Sequence, residues 1–174
     1  MLKIFAFLLL LVPAAANATS PQGDVIYKYV PNAKLVGEGT FSKAFWDIYK
    51  AMLFAPDGKY IDAAPYALSI TYFVEIDGKD IAERSVDEMK DTGVSDALKL
   101  ADWGKQMQAI FPDVKDGSNI TAVATKKGAT IFFSEGKQIG VVADKGFAPA
   151  FFGIWLKPTT SDKSLRGKLL GESK

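Results

Sequence analysis

Two residue types are missing from this chain. It has no cysteine, which excludes disulfides, thiolate catalysis, cysteine-ligated zinc and a lipidated anchor. It has no histidine, which removes the commonest general base near neutral pH and the commonest metal ligand. Neither sign of charge dominates, with 21 basic and 20 acidic residues and a formal net charge of +1. No basic face is implied, so nucleic acid is not an expected partner. Long hydrophobic runs are also lacking after residue 18, and nothing there reaches the ~20 apolar residues that a membrane-spanning helix needs.

What remains is ordinary globular material. The 174 residues match one domain, by the usual span of roughly 100–200 residues per domain. Hydrophobic residues make up 48% of the chain, enough for a packed core without disulfide support.

The first residues read as an address. Lys3 gives a positive start, Ile4 to Val12 is apolar, Pro13 breaks the run, and Ala16-Asn17-Ala18 has the small-x-small form of a cleavage site. The apolar run is about half the ~20 residues of a spanning helix, so a secretory signal is the better reading than an anchor. The expected organisation is a leader at 1–18, cleaved after Ala18, and a single domain at 19–174. The expected location is a bacterial periplasm, with no membrane span after cleavage.

Hydrophobic spacing orders the rest. Val25 to Val30 is rich in β-branched and aromatic residues and predicts a strand. Leu35 to Phe41 predicts another, in which Gly37 and Gly39 suggest a bulge or a close backbone approach. Phe45 to Phe54 is apolar on both faces, and Tyr66 to Ile76 alternates cleanly. Ser85-x-x-Glu88 has the form of a capping box, and Ser95 is a second candidate cap. Leu100, Trp103, Met107 and Ile110 then follow helical spacing. Three short strands follow at Ile120 to Thr125, Ala129 to Phe133 and Gln138 to Val142. Phe147 to Leu156 predicts a helix, and Ser161 is placed to cap a last one ending at Gly171. This segregation points to α+β, with helices on an antiparallel sheet.

Two sets of aromatic residues bear on function. Phe41, Trp46, Tyr49, Tyr66 and Tyr72 lie on predicted strands and either line a ligand cleft or pack the core. Trp103, Met107, Phe151 and Trp155 would be the helix side of the same region, again as lining or core. Asp87, Glu88, Asp91 and Asp96 match no calcium loop and read as exposed helix charges, so no metal is expected.

Three segments together carry a resemblance. They are Leu35-Val36-Gly37-Glu38-Gly39 with Ile48-Tyr49-Lys50-Ala51-Met52-Leu53-Phe54, then Tyr66-Ala67-Leu68-Ser69-Ile70-Thr71-Tyr72, then Phe147 to Leu156 with the tail Ser161 to Leu170. In order and distance they resemble the bacterial branch of the chalcone isomerase-like family. The resemblance implies an open-faced β-sandwich, a large antiparallel sheet covered on one face by a layer of helices. It also implies where catalytic groups would stand. The plant enzyme uses an arginine, two threonines and a tyrosine. The arginine position falls at Phe41 or next to it, the first threonine at Tyr49 and the second at or beside Ile154, and no tyrosine follows Tyr72.

On that basis the chain resembles a non-catalytic relative, with no catalytic residue retained. The family's fatty-acid-binding branch holds a carboxylate with an arginine and a tyrosine. Here the resemblance keeps a hydroxyl at Tyr49 but no arginine, so a neutral apolar ligand fits better. Lys43 or Lys50 are alternative holders of an acid head group. The expected ligand-binding set is Phe41, Trp46, Tyr49, Tyr66 and Ile154, holding a small hydrophobic ligand, lipid or aromatic, with no cofactor. Haem is a minor variant that would need tyrosine or methionine ligation. One alternative is an isomerase or lyase with diverged residues, in which Tyr49 acts as the acid. Another is a periplasmic interaction or stress protein without a ligand.

Overall fold

The computed structural model describes residues 21–172. The expected leader and cleavage site lie outside the described residues. The elements in chain order are α1 (Pro21–Tyr29), β1 (Ala33–Lys43), β2 (Trp46–Pro56), β3 (Tyr66–Tyr72), α2 (Gly78–Asp91), α3 (Ala97–Ile110), β4 (Asn119–Ala124), β5 (Thr130–Ser134), β6 (Lys137–Val142), α4 (Phe147–Phe151), α5 (Gly153–Leu156) and α6 (Lys163–Leu169).

The six strands form one antiparallel sheet in the order β1-β2-β3-β4-β5-β6, so every neighbour in space is a neighbour in sequence. Alternation then assigns the faces. Ala51 and Leu53 of β2, Leu68 and Ile70 of β3, Ala122 of β4 and Phe132 of β5 turn to one side and are buried in the main core. Over them pack Met89 of α2, Trp103 and Met107 of α3, Phe147 and Phe151 of α4, and Leu165 and Leu169 of α6. This is the α+β, open-faced arrangement expected, a large antiparallel sheet under a layer of helices.

The opposite face is covered in part as well. Ile26 and Val30 of the N-terminal segment pack there against Ala67, Val123 and Phe133. All six residues of β4 are therefore buried. The strand expected over Val25 to Val30 is a helix instead. Six residues are too few to separate the two periods. Ile26 and Val30 stand four apart on one face of α1 and its last turn, and Val30 N–H donates to the Ile26 carbonyl at 2.9 Å.

Gly37 and Gly39 do mark a close approach. A register shift falls between Leu35 and Gly37, and a side chain at Gly37 would overlap the Lys168 and Leu169 carbonyl groups of α6. The last helix thus lies directly on the backbone of β1.

Several boundaries differ from the sequence reading. The strand expected to reach Ile76 ends at Tyr72, and Ile76 instead makes an isolated bridge with Val114. Ser85 opens no helix, because α2 begins seven residues earlier; its hydroxyl donates back to the Ile81 carbonyl at 2.7 Å. The caps expected of Ser95 and Ser161 belong to the next residues. Asp96 accepts from Leu98 and Lys99 N–H, and Asp162 from Leu165 N–H. A carboxylate beats a hydroxyl there because it also complements the positive helix start. The helix expected over Phe147 to Leu156 is split at Phe152 into α4 and α5.

Candidate functional site

A cavity of about 290 Å³ lies between the sheet and the helix layer. Its floor is a row of rings across three strands. Phe41 of β1 pairs in register with Tyr49 of β2, which pairs with Tyr72 of β3. Phe41 and Tyr49 stack with centroids 5.1 Å apart, and Tyr49 meets Tyr72 edge-on at 6.1 Å. Leu68, Ile70, Ile120 and Ala122 continue the floor, and Phe111, Phe151, Ile154 and Trp155 form the roof.

The polar groups come from two places. From α2, Asp80, Ile81, Arg84, Ser85 and Glu88 line one side, a stripe at helical spacing. From the segment between α5 and α6 come Thr160, Ser161 and Asp162. The Glu88 carboxylate joins the two. It pairs with the Arg84 guanidinium through one oxygen and accepts from the Ser161 hydroxyl through the other, at 3.0 Å. Because Asp162 takes the capping duty on α6, Ser161 is left to make this link. Glu88 is buried while the Arg84 side chain is 67% exposed, so Arg84 marks the open end.

Deeper in, Trp155 Nε1–H donates to the Tyr49 hydroxyl at 3.0 Å. The Tyr49 phenol is pushed up to about 12, first by burial and then by the Asp162 and Glu88 carboxylates, against the opposing Trp155 bond. Burial also raises Tyr72, with Tyr49 adding to it. Both phenols are neutral at physiological pH. They can donate hydrogen bonds but are poor bases.

Of the five residues expected to line a ligand site, Phe41, Tyr49 and Ile154 come together at this cavity. Trp46 does not. It sits at the outer end of β2, opposite Lys43 and 73% exposed, because the β1–β2 hairpin overhangs the helix layer. Tyr66 is on the same face as Tyr72 but six residues away. It lines a second hollow of about 560 Å³ beside Tyr60, Phe152 and Arg166. That hollow is ringed by Lys59, Asp62, Lys157 and Glu172, unlike the mostly apolar walls of typical small-molecule sites. Lys50 pairs with Glu38 at 2.8 Å, and neither it nor Lys43 lines the cavity.

The remaining expectations fall as follows. Phe151 and Trp155 line the cavity, whereas Trp103 and Met107 are buried core. Trp103 donates to Asp144 at 3.1 Å. Of the acidic set, Asp87 pairs with Lys90, Asp96 caps α3, and Glu88 turns inward. Among the described residues no three histidine, cysteine, aspartate or glutamate side chains group to hold a metal, and no helix is long and apolar enough to cross a membrane.

A sheet floor, a helix roof and a cavity between them invite comparison with known proteins. The sequence profile of chalcone isomerase-like proteins matches residues 29–171. The chain belongs to the chalcone isomerase-like family. A curated relative, an uncharacterised protein of Haemophilus influenzae, is 29% identical over 140 residues, which is 80% of this chain and 68% of that protein. The crystal structure of an Arabidopsis thaliana fatty-acid binding protein superposes with a TM-score of 0.61. That match covers 82% of this chain and 88% of the plant chain at 15% identity, so it speaks to the fold.

Within this family frame, the residue that sequence reasoning passed over is Arg84. The resemblance places the family's arginine on the glycine strand, where Phe41 stands. The structure brings a guanidinium to the cavity from α2 instead. The stripe Asp80, Arg84, Glu88 at four-residue spacing, on a helix placed over a sheet, was the available signal.

Proposed function

We propose that this protein is an exported, non-catalytic holder of a small hydrophobic ligand, which it takes up between the sheet and the helix layer. One observation carries the reading: the cavity has an aromatic and aliphatic interior and gathers its ionisable groups at one end. That is the usual plan of a small-molecule site, mostly apolar with a few placed polar groups, and its volume is near the low end of the ~300–1,000 Å³ such sites span. The neighbouring plant structure is a fatty-acid binding protein, which supports lipid-like cargo for this fold. The interior phenols are held neutral, which supports holding over acid–base turnover. Export rests on the leader read at residues 1–18.

The test is native mass spectrometry of the protein purified from its own host, alongside Ala122→Leu, which fills the floor of the cavity. A discrete small-molecule adduct, absent from the variant, is the expected result. An apo mass, with no thermal shift across a broad lipid and aromatic screen, would overturn the reading. Determination of the N-terminal residue of the same sample tests export; a chain still beginning at Met1 would sink that part.

A further inference from the structure

The interior of the cavity contains hydrogen-bond donors that the protein leaves unused. Tyr72 is 5% exposed and lines the cavity, and its hydroxyl has no hydrogen-bond partner among the described residues. Tyr49 beside it accepts from Trp155, which leaves its own proton without a protein acceptor among the described residues. Both hydroxyls line the cavity and are left to donate into it, to water or to a ligand group. No cationic side chain lines this inner end. The one guanidinium, Arg84, stands at the open end, already paired with Glu88, and Asp80 and Asp162 line the same end.

We infer that the ligand presents a neutral hydrogen-bond acceptor, a carbonyl or ether oxygen, to Tyr49 and Tyr72, and that the site rejects carboxylates. This rests on the holding role proposed above and names the class of molecule held. The geometry divides the two head groups. A carbonyl at the inner end completes two donors and brings no charge. A carboxylate there would be buried without a cation, which is costly. At the open end it would meet three carboxylates against one guanidinium. The balance at the Tyr49 phenol points the same way: burial, Asp162 and Glu88 oppose an anion there and outweigh the Trp155 hydrogen bond and the Arg84 charge, which favour one.

The cavity fixes the probe size. At roughly 30 Å³ per water-sized atom, its volume corresponds to about ten such atoms. The experiment titrates the purified protein with methyl octyl ketone, decanoate, decylamine and decane at neutral pH, following tryptophan fluorescence. The ketone is expected to bind at least ~10-fold more tightly than decanoate, since the carboxylate charge would be buried without a cation beside it. Tyr72→Phe and Tyr49→Phe should each weaken ketone binding by about five-fold, the scale of one neutral hydrogen bond, and leave decane unchanged. Tyr72→Phe is the cleaner variant, because no protein contact of its hydroxyl is lost.

Decanoate binding as well as the ketone, and losing its affinity in Arg84→Gln, would overturn the inference in favour of a carboxylate site at the rim. Tighter binding of decylamine would overturn it in favour of the rim carboxylates. Either outcome leaves the holding role standing. If none of the four probes binds, the inference is overturned, while the holding role stands or falls on the adduct and the broad ligand screen described above.

Discussion

Trp155 and Tyr49 are 106 residues apart in the chain and joined by a single hydrogen bond, indole N–H to phenol oxygen, at 3.0 Å. This bond ties the helix roof of the cavity to its sheet floor. Trp155 is almost fully buried, so its donor has no ready access to water. Tyr49→Phe should therefore lower stability by about 1–2 kcal/mol, the cost of a buried donor left unpaired. A double-mutant cycle with Trp155→Phe, read by urea unfolding, should return a coupling of about 1 kcal/mol. Strict additivity would show that the two groups do not interact.

Alkaline pH should destabilise the fold ahead of lysine neutralisation alone. Tyr49 and Tyr66 are pushed up to about 12, chiefly by burial, and Tyr60 and Tyr72 are raised as well. In the unfolded chain a tyrosine ionises near pH ~10. The folded state holds its protons longer, so this contribution is complete below pH ~10 and is lost as pH rises through the folded values. Unfolding midpoints should fall steadily above pH ~10, while phenolate absorbance of the folded protein lags behind that of the unfolded protein. Coincident phenolate titrations in the two states would contradict the burial of these rings.

Glu88 holds α2 to the segment before α6. Glu88→Ala should cost about 1–3 kcal/mol, because the Ser161 hydroxyl and Arg84 lose a buried charged acceptor. Glu88→Gln keeps an acceptor for Ser161 and should cost less. Thermal melts of the two variants give the order directly, and equal losses would show that the charge, not the hydrogen bond to Ser161, is what matters.

Gly37 and Gly39 differ in what crowds them. A side chain at Gly37 meets backbone carbonyl groups of Lys168 and Leu169, which cannot step aside. At Gly39 it meets Leu165 and Lys168 side chains, which can. Gly37→Ala should cost at least ~2 kcal/mol and Gly39→Ala less, within the range of overpacked sites. Hydrogen exchange should also show α6 losing protection in Gly37→Ala first.

The α+β class and the two long helices between β3 and β4 were legible as periods along the chain; the order of the strands in the sheet was not, because a period names the faces of a strand and not its neighbours. Periods of two and of three to four residues report which side of an element is buried, and burial dominates such patterns. Errors fell where the pattern was short or several residues could do one job. Val25 to Val30 is too short to distinguish helix from strand. Ser95 and Ser161 were each one residue from the aspartate that caps.

The candidate site was only half legible. Phe41 and Tyr49 face each other across β1 and β2, so strand register alone brings them together, and Ile154 follows on a helix that covers them. Trp46 and Tyr66 lie on β2 and β3 of the same sheet, but where the helix layer sits decides that one is bare to solvent and the other faces a different hollow. Arg84 reaches the cavity only because α2 crosses over the sheet, and Ser161 serves Glu88 only because Asp162 caps α6. The sequence by itself determined the faces of the strands and helices and the absence of cysteine and histidine chemistry. Tertiary packing alone decided which polar groups meet the apolar floor, because that depends on how separate elements cross, and no local period carries that angle.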